Sequence, residues 1–301
     1  MSEAPRTEAL PHAFFSWNRL WAIATNTLTE LVRLRVFYFL LIFALLLIVG
    51  SLFWSKVTFQ QQLQTLKDIS LGAMTIFSTL LAMLATSMML PKDMEDRTLY
   101  TILAKPVPRF EYLMGKLTGI LLLLGLAILA MSLVFGVTLG VRYFQVAQQL
   151  QGELGGATSE LMQPSVEALR AEVFDPDLLI AIGLLYLKAA IFAAITLFLS
   201  TISSSWIFTV MMAAIVYLIG HFQGEAREYL MLTSDGSWLT QGFLGVVVIL
   251  FPDLQLFNLV DDIVVGAGLP LSLAWKTIAL GVFYFFIYTA ASYLAFSSKE
   301  Y

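Results

Sequence analysis

Six long apolar stretches divide this 301-residue chain, and they decide what kind of fold it can adopt. A helix that crosses a bilayer needs roughly 17–25 mostly apolar residues, and each stretch is of that size. None of them contains proline, and Lys188 is the one charged residue inside them. The sequence therefore predicts an all-α, polytopic membrane protein with six transmembrane helices. These spans are predicted at residues 36–53, 69–90, 117–141, 178–200, 206–222 and 277–296.

The composition excludes several other classes of protein. Hydrophobic residues make up 59% of the chain and charged residues 13%, against about 45–50% and about 25% in ordinary soluble domains. A soluble chain of this length has too little interior to bury so much apolar surface. The net charge of −4 argues against nucleic-acid binding, which requires a basic surface. The chain has no cysteine, so disulfides and thiolate metal sites are impossible.

The sequence predicts no enzyme active site and no metal site. The two histidines, His12 and His221, are too far apart in sequence to form a two-histidine zinc motif. Gly115 and Lys116 resemble the end of a phosphate-binding loop. However, no glycine lies five residues before Gly115, and no serine or threonine directly follows Lys116. We therefore expect no catalytic residue and no bound nucleotide on this chain.

The predicted spans contain no aspartate or glutamate. Ion-coupled carriers usually place acidic or histidine side chains at membrane depth, so their absence disfavours such a carrier. Lys188 is the exception among charged residues, and a lysine at the centre of a span costs about 2.5–3.5 kcal/mol on insertion scales. Its side chain either reaches the interface, meets a carbonyl group or faces a pathway, and the sequence leaves these alternatives open.

The distribution of basic residues predicts the orientation. With the N-terminus in the cytoplasm, the inner loops hold 10 lysines and arginines and the outer loops hold 6. Arg33 and Arg35 directly precede the first span, and the loop after the second span carries five basic residues. By the positive-inside rule, we expect an inner-membrane protein with both termini in the cytoplasm.

Residues 13–34 are predicted to form an amphipathic helix ahead of the first span. Trp17 and Trp21 share one helical face with several apolar residues, whereas Arg19 and Arg33 lie mostly elsewhere. Such a helix suits the membrane interface. It either anchors the first span or acts as an elbow helix that packs against a partner protein. The apolar face comprises Phe14, Trp17, Trp21, Ala24, Leu28, Leu31 and Val32.

The loop at residues 91–116 is predicted to contain a short cytosolic helix at 94–104. Pro91 is expected to close the second span, and Asp93 is a good N-cap. Glu95 and Asp96 lie in the first turn, where the helix dipole favours acidic side chains. A capped helix of this kind suits the docking of a soluble partner, but an ordinary charged loop on the lipid headgroups fits the pattern equally well. Its apolar face would be Leu99, Ile102 and Leu103.

Two outer regions complete the prediction. Residues 142–177 are expected to hold short helices near 143–151 and 159–174, as a solvated cap or a contact site. Residues 223–276 are expected to hold a segment at 239–251 that is too short to cross the bilayer and re-enters it instead. Close helix packing is predicted at two glycine pairs with four-residue spacing. These pairs are Gly115 with Gly119 and Gly136 with Gly140.

The whole arrangement resembles the permease subunits of type-2 ABC exporters. The branch it resembles most is the one compared with nitrous-oxide-reductase maturation and gliding-motility permeases. The resemblance rests on four segments: TNTLTELVRLRVFYFLLIFALLL, LPKDMEDRTLYTILAKPVPRFEYLMGKLTG, LFPDLQLFNL and FSSKEY. It extends over nearly the whole chain and is most specific in the second segment.

The resemblance implies a single permease domain that pairs as a homodimer or heterodimer and exports a substrate. ATP and Mg²⁺ would bind a separate cytosolic ATPase subunit, so no cofactor is expected on this chain. Residues 94–104 would be the coupling helix, with docking contacts from Glu95, Asp96, Arg97, Thr98, Leu99, Tyr100 and Leu103. The elbow helix would add Arg19, Arg33 and Arg35, and residues 239–265 would hold outer re-entrant helices.

Two other functions stay open on the sequence alone. The chain could be a membrane scaffold that anchors an assembly complex, which would show no dependence on ATP. An ion-coupled carrier is less favoured because the spans lack acidic residues.

Overall fold

The computed structural model describes residues 15–54, 62–95, 108–153, 173, 175–232, 242, 245, 250–257 and 271–298. Within these ranges the regular structure is entirely helical: seven α-helices and one short 3₁₀ turn. The helices are α1 (Trp17–Val32), α2 (Arg35–Trp54), α3 (Gln62–Glu95), α4 (Arg109–Glu153), α5 (Asp177–Ile202), α6 (Trp206–Leu232) and α7 (Leu271–Ser297). The 3₁₀ turn is Gln255–Phe257.

Six of these helices, α2 to α7, are long and apolar enough to cross a membrane. Their number equals the six spans predicted from the apolar stretches. Several extend well beyond the apolar stretch that marks them. The 45 residues of α4, at about 1.5 Å per residue, make a helix far longer than the roughly 30 Å of the hydrocarbon core. At least one end of α4 therefore projects beyond the hydrocarbon.

Helix α4 continues without a break past residue 141, the predicted end of the third span, to Glu153. The expected separate helix at 143–151 is part of this long helix. No proline or glycine interrupts residues 141–151, and Arg142 stabilises the continuation by donating to Gln145 Oε1 at 3.0 Å, one turn further on. The second expected helix, at 159–174, lies outside the described residues apart from Val173.

The prediction that Pro91 ends the second spanning helix is wrong. Helix α3 runs through Pro91 and ends at Glu95. Proline removes one backbone hydrogen bond from a helix, but here the next turn is held by another helix. The Asp93 carboxylate accepts a hydrogen bond from Tyr112 and lies 2.7 Å from the Lys116 Nζ. Asp93 is therefore a contact between helices and not the N-cap of a new helix.

Helix α5 lies at the centre of the bundle and contacts α3, α4, α6 and α7. Its middle is buried on all sides, and four alanines allow neighbouring helices to approach closely. By contrast, α2 exposes large side chains such as Phe39 and Leu46. Exposed apolar side chains on a long apolar helix indicate contact with lipid or with another membrane subunit. The alanines are Ala189, Ala190, Ala193 and Ala194.

Candidate functional site: the α1–α3–α4 junction

The N-terminal helix α1 packs directly against the beginning of α4 at a pair of glycines. A Cβ atom added at Gly119 would lie 2.7 Å from the Thr27 Cβ and 2.8 Å from the Ala24 carbonyl oxygen. At Gly115 it would lie 2.8 Å from the Ile23 side chain. Only glycine allows this separation, so the Gly115–Gly119 pair joins two helices of the same chain.

The second glycine pair behaves differently. A Cβ atom at Gly136 or at Gly140 would meet no atom within 4 Å among the described parts of the chain. Among the described residues, no neighbouring helix therefore packs closely against these two glycines.

A bidentate ion pair fixes the N-terminal half of α1. Arg19 donates through Nε to Glu111 Oε2 at 2.7 Å and through Nη2 to Glu111 Oε1 at 2.9 Å. The Ser16 backbone N–H also donates to Glu111 Oε1 at 2.8 Å. The hydrogen bond from Arg19 to Glu111 raises the pKa of the Arg19 guanidinium above its ordinary value, and desolvation only partly opposes this. Arg19, which the resemblance assigned to a docking surface, is thus engaged with α4.

A second group of charges fixes the C-terminal half of α1 to both α3 and α4. Lys92 Nζ lies 2.8 Å from Glu30 Oε1, and Lys116 Nζ lies 4.0 Å from Glu30 Oε2. Burial alone would raise the pKa of Glu30. The hydrogen bond from Lys92 and the positive charges of Lys116 and Lys92 outweigh that effect and lower it below its ordinary value. Lys116 also pairs with Asp93, so it connects all three helices.

Helix α1 presents three faces, where the sequence pattern predicted one apolar stripe. Ala24 and Leu31 from that stripe are buried against the neighbouring helices. Trp17 and Trp21 are 73% and 56% exposed, as expected for side chains at a lipid headgroup boundary. A third face of α1 is also exposed, and its polar side chains can form hydrogen bonds. That face carries Asn18, Asn26, Thr29 and Arg33.

The structure describes some of the predicted docking residues and not others. Arg33 and Arg35 are exposed where α1 ends and α2 begins. Glu95 is the last residue of α3. The other predicted contacts lie outside the described residues, between the end of α3 and the start of α4. They are Asp96, Arg97, Thr98, Leu99, Tyr100 and Leu103.

Sequence reasoning missed the roles of Glu111 and Tyr112. Both lie in the segment predicted to be a loop, yet Glu111 binds Arg19 of α1 and Tyr112 donates to Asp93 of α3. One signal was available: Glu111 lies one helical turn before Gly115. A helix that packs against Gly115 and Gly119 also lies close to Glu111. It can therefore supply the basic side chain that the buried Glu111 carboxylate requires.

Lys188 is buried near the middle of α5, with 3% of its surface exposed. Asp253, on the segment between α6 and α7, is also buried, with 6% of its surface exposed. The burial of Lys188 disfavours the alternative in which its side chain reaches the interface, and the other two alternatives stay predictions.

A cavity of about 280 Å³ lies between α3, α5 and α6. Its lining is almost entirely apolar, and its two polar side chains are Thr79 and Tyr217. Ile76 and Leu218, on its rim, are about half exposed, so the cavity opens at the surface between α3 and α6. A cavity with this lining suits a hydrocarbon chain or another apolar group.

Comparison with known proteins agrees with this architecture. Residues 31–160 match a family model described as ABC-2 family transporter protein. The match covers less than half of the chain and includes α2, α3 and α4, and thus two of the three helices of the junction. No curated protein matches the chain. The family match and the six apolar helices together support a membrane-embedded transport permease of the ABC-2 type.

Proposed function

We propose that this chain is the membrane-spanning permease subunit of an ATP-driven ABC exporter. A separate cytosolic ATPase binds and hydrolyses ATP with Mg²⁺, and this chain converts the movement of the ATPase into opening of a path through the membrane. The working unit contains two permease chains, either two copies of this one or one copy with a related chain. The lysines and arginines concentrated near residues 33–35 and 91–116 favour a cytoplasmic location for the junction.

The observation that carries the proposal is the ion-paired junction. The segment 96–107 joins α3 to α4, and both of these helices are bound to α1 and to each other next to that segment. A force applied to residues 96–107 would therefore act on three helices together. This is the property that a coupling element needs, because packed helices transmit displacement as rigid bodies.

The polar face of α1 supports the same assignment. Asn18, Asn26, Thr29 and Arg33 are exposed beside the junction, although Arg19 is engaged with Glu111. We propose that this face and residues 95–103 form one docking surface for the ATPase. Its mixture of hydrogen-bonding and charged groups suits a contact with a soluble protein, whose interface rim is polar.

The experiment is recovery of the complex from the native host with a tagged chain. We expect a stoichiometric protein with a phosphate-binding loop to co-purify with the natural sequence. The double variant Leu99→Ala/Tyr100→Ala should insert normally but lose that protein. The matched control is Leu133→Ala/Phe144→Ala, which removes one leucine and one aromatic side chain from exposed positions of α4. The control should retain the ATPase.

Two results would contradict the proposal. Normal recovery of the ATPase with Leu99→Ala/Tyr100→Ala would overturn the assignment of residues 95–103 to docking. Recovery of the natural chain without any ATPase, in several mild detergents, would favour a membrane scaffold instead.

A further inference from the structure

The cavity between α3, α5 and α6 lies at a depth that limits what can occupy it. Thr79, Phe192 and Ala214, one lining residue from each helix, all lie near the middle of the candidate spans that carry them. The bilayer at this depth is a hydrocarbon layer about 30 Å thick, with neither water nor headgroups. A lipid that surrounds the protein therefore meets the cavity with its acyl chains.

The cavity opens sideways, toward the surrounding membrane. Ile76 of α3 and Leu218 of α6, at the opening, are 54% and 52% exposed. Phe192 of α5 forms the inner wall, where it is only 1% exposed. The Phe192 ring packs edge-on against the Tyr217 ring, with the centroids 5.5 Å apart. The cavity therefore has a buried inner wall and an opening on the face that the bilayer surrounds.

The chemistry of the lining selects an apolar occupant. None of the described residues that line the cavity is charged, so a charged group would be buried there without a partner, at high cost. A buried water typically makes about three hydrogen bonds. The lining offers two hydroxyl groups, and that of Thr79 already donates to the Thr75 carbonyl oxygen of its own helix. Hydrocarbon suits this lining better than either water or an ion.

The size and shape of the cavity suit a chain. Its volume is about 280 Å³, whereas a cavity of about 150 Å³ is large enough to bind benzene. The lining on α3 extends from Ile76 to Met83, which is about 10 Å along the helix axis. Protein interiors contain few voids larger than a water molecule. We therefore expect an elongated apolar group to fill this cavity in the membrane.

We propose that the cavity binds one acyl chain of a bilayer lipid, which enters between Ile76 and Leu218 and lies along α3 against Phe192. The terminal part of the chain occupies the cavity, because the acyl chains of each leaflet end near the middle of the hydrocarbon layer. The headgroup stays at the membrane interface. Binding of the chain requires no ATPase and goes beyond the function proposed above. Together with that function, it implies that hydrophobic cargo must displace the chain.

The test uses the purified natural chain in vesicles of phosphatidylcholine that carries a photoactivatable diazirine near the methyl end of one acyl chain. After illumination, mass spectrometry of the peptides locates the attached lipid. We expect label on Phe192. The internal control is Leu197 on the same helix, which is also buried but does not line the cavity, and it should stay unlabelled.

A blocking variant shows whether the chain reaches Phe192 through the cavity. Ala214→Phe adds a ring to the lining, and most of the label at Phe192 should be lost. Label on Leu46, which is 62% exposed on α2, should not change. The matched control is Ala290→Phe, the same substitution at an exposed position of α7, and it should keep the label at Phe192.

A polar-to-apolar variant tests the class of ligand. Thr79→Val removes a hydroxyl group from the lining with little change of shape. An acyl chain forms no hydrogen bond with Thr79, so the label at Phe192 should be retained. Loss of the label in a Thr79→Val protein of unchanged thermal stability would mean that the occupant uses the hydroxyl group, and it would overturn the assignment to an acyl chain.

Two further results would overturn the site itself. Label at Phe192 no higher than at Leu197 in the natural chain would do so without any variant. Equal label at Phe192 in Ala214→Phe and in the natural chain would mean that the lipid reaches Phe192 by another route. If Ala214→Phe does not fold, Leu218→Trp, which narrows the opening from its exposed rim, takes its place and is judged in the same way.

The last arms identify the source of the occupant. An alkane with the same diazirine but no headgroup is added to vesicles of ordinary phosphatidylcholine. Label at Phe192 from the alkane and none from the labelled phosphatidylcholine would mean that the cavity binds free hydrophobic molecules and not a bilayer lipid. A disulfide between two copies of Ile76→Cys, with Phe192 unlabelled, would mean that a second copy covers the opening. No measurement here uses ATP, so failure of the lipid site and failure of the proposed function are separate results.

Discussion

At the scale of single residues, the junction depends on a carboxylate that is ionised in the folded protein. The pKa of Glu30 is lowered from its ordinary value of 4.5, because the favourable interactions with Lys92 and Lys116 exceed the cost of burial. A lowered pKa in the folded state means that Glu30 stabilises the fold above its ordinary pKa. This contribution is lost as the pH falls through the folded-state value.

We therefore expect acidification below pH 4.5 to weaken the attachment of α1 in the natural chain. In Glu30→Gln the same contribution should be absent at all pH values, so stability near neutral pH should be lower and its change on acidification smaller. The measurement is the thermal midpoint of unfolding of the purified protein from pH 7 to well below pH 4.5, where the loss is expected. Parallel curves for the two proteins would contradict the role of Glu30.

The hydroxyl of Tyr112 gives a second prediction at this scale. It donates to Asp93 in the buried part of the junction, and a hydrogen bond to a charged group contributes about 1.5–3 kcal/mol. Tyr112→Phe should lower the free energy of unfolding by about that amount. Tyr186→Phe is the matched control, because the Tyr186 hydroxyl donates to the neutral Leu121 carbonyl at 3.2 Å. The free energy of unfolding should fall less in the control, and an equal decrease in both variants would argue against a special role for Asp93.

At the scale of helices, α1 and α4 approach so closely at Gly119 that even one added carbon atom would clash. Gly119→Leu should displace α1 and lower the free energy of unfolding by about 1–3 kcal/mol, as overpacking usually does. Gly136→Leu inserts the same side chain into the same helix where a Cβ atom has open space. It should be nearly neutral.

The readout for this pair of variants is recovery of the ATPase together with thermal stability. If α1 belongs to the docking surface, Gly119→Leu should reduce ATPase recovery and Gly136→Leu should not. Full recovery of the ATPase with a Gly119→Leu protein of lowered stability would show that docking does not depend on the packing of α1 against α4.

Sequence reasoning found the spans because hydrophobicity over about twenty residues is a strong and local signal. It misplaced the end of α3 because Pro91 is a local helix-breaking signal, while the contacts that override it come from Tyr112 and Lys116 on another helix. It recognised Gly115 and Gly119 as a packing site but could not name α1 as the partner. Gly220 and Gly224 have the same four-residue spacing, but the sequence analysis did not identify them as a packing site. Their partner is the short segment at residues 252–255 and not a long helix.

At the scale of the whole molecule, the described helices form a cavity of about 280 Å³ that a transported molecule could use. It lies between α3, α5 and α6, and its lining favours apolar groups. If hydrophobic cargo passes there, it should enter sideways from the bilayer between Ile76 and Leu218, which are both about half exposed. Cargo binding and ATPase docking would then occupy different parts of the chain, since the cavity and the junction share no residue.

This separation makes a prediction about the complete complex. Ala214→Trp would place an indole ring in the cavity, which has a volume of about 280 Å³ and is lined by Ala214. It should leave ATPase recovery unchanged but abolish stimulation of ATP hydrolysis by hydrophobic compounds added in proteoliposomes. Ala290→Trp adds the same indole ring at an exposed position of α7, outside the cavity, and should keep the stimulation. Equal stimulation in both variants would place the cargo elsewhere, whereas loss of the ATPase from Ala214→Trp alone would mean that the cavity and the junction are coupled through the packing of α3.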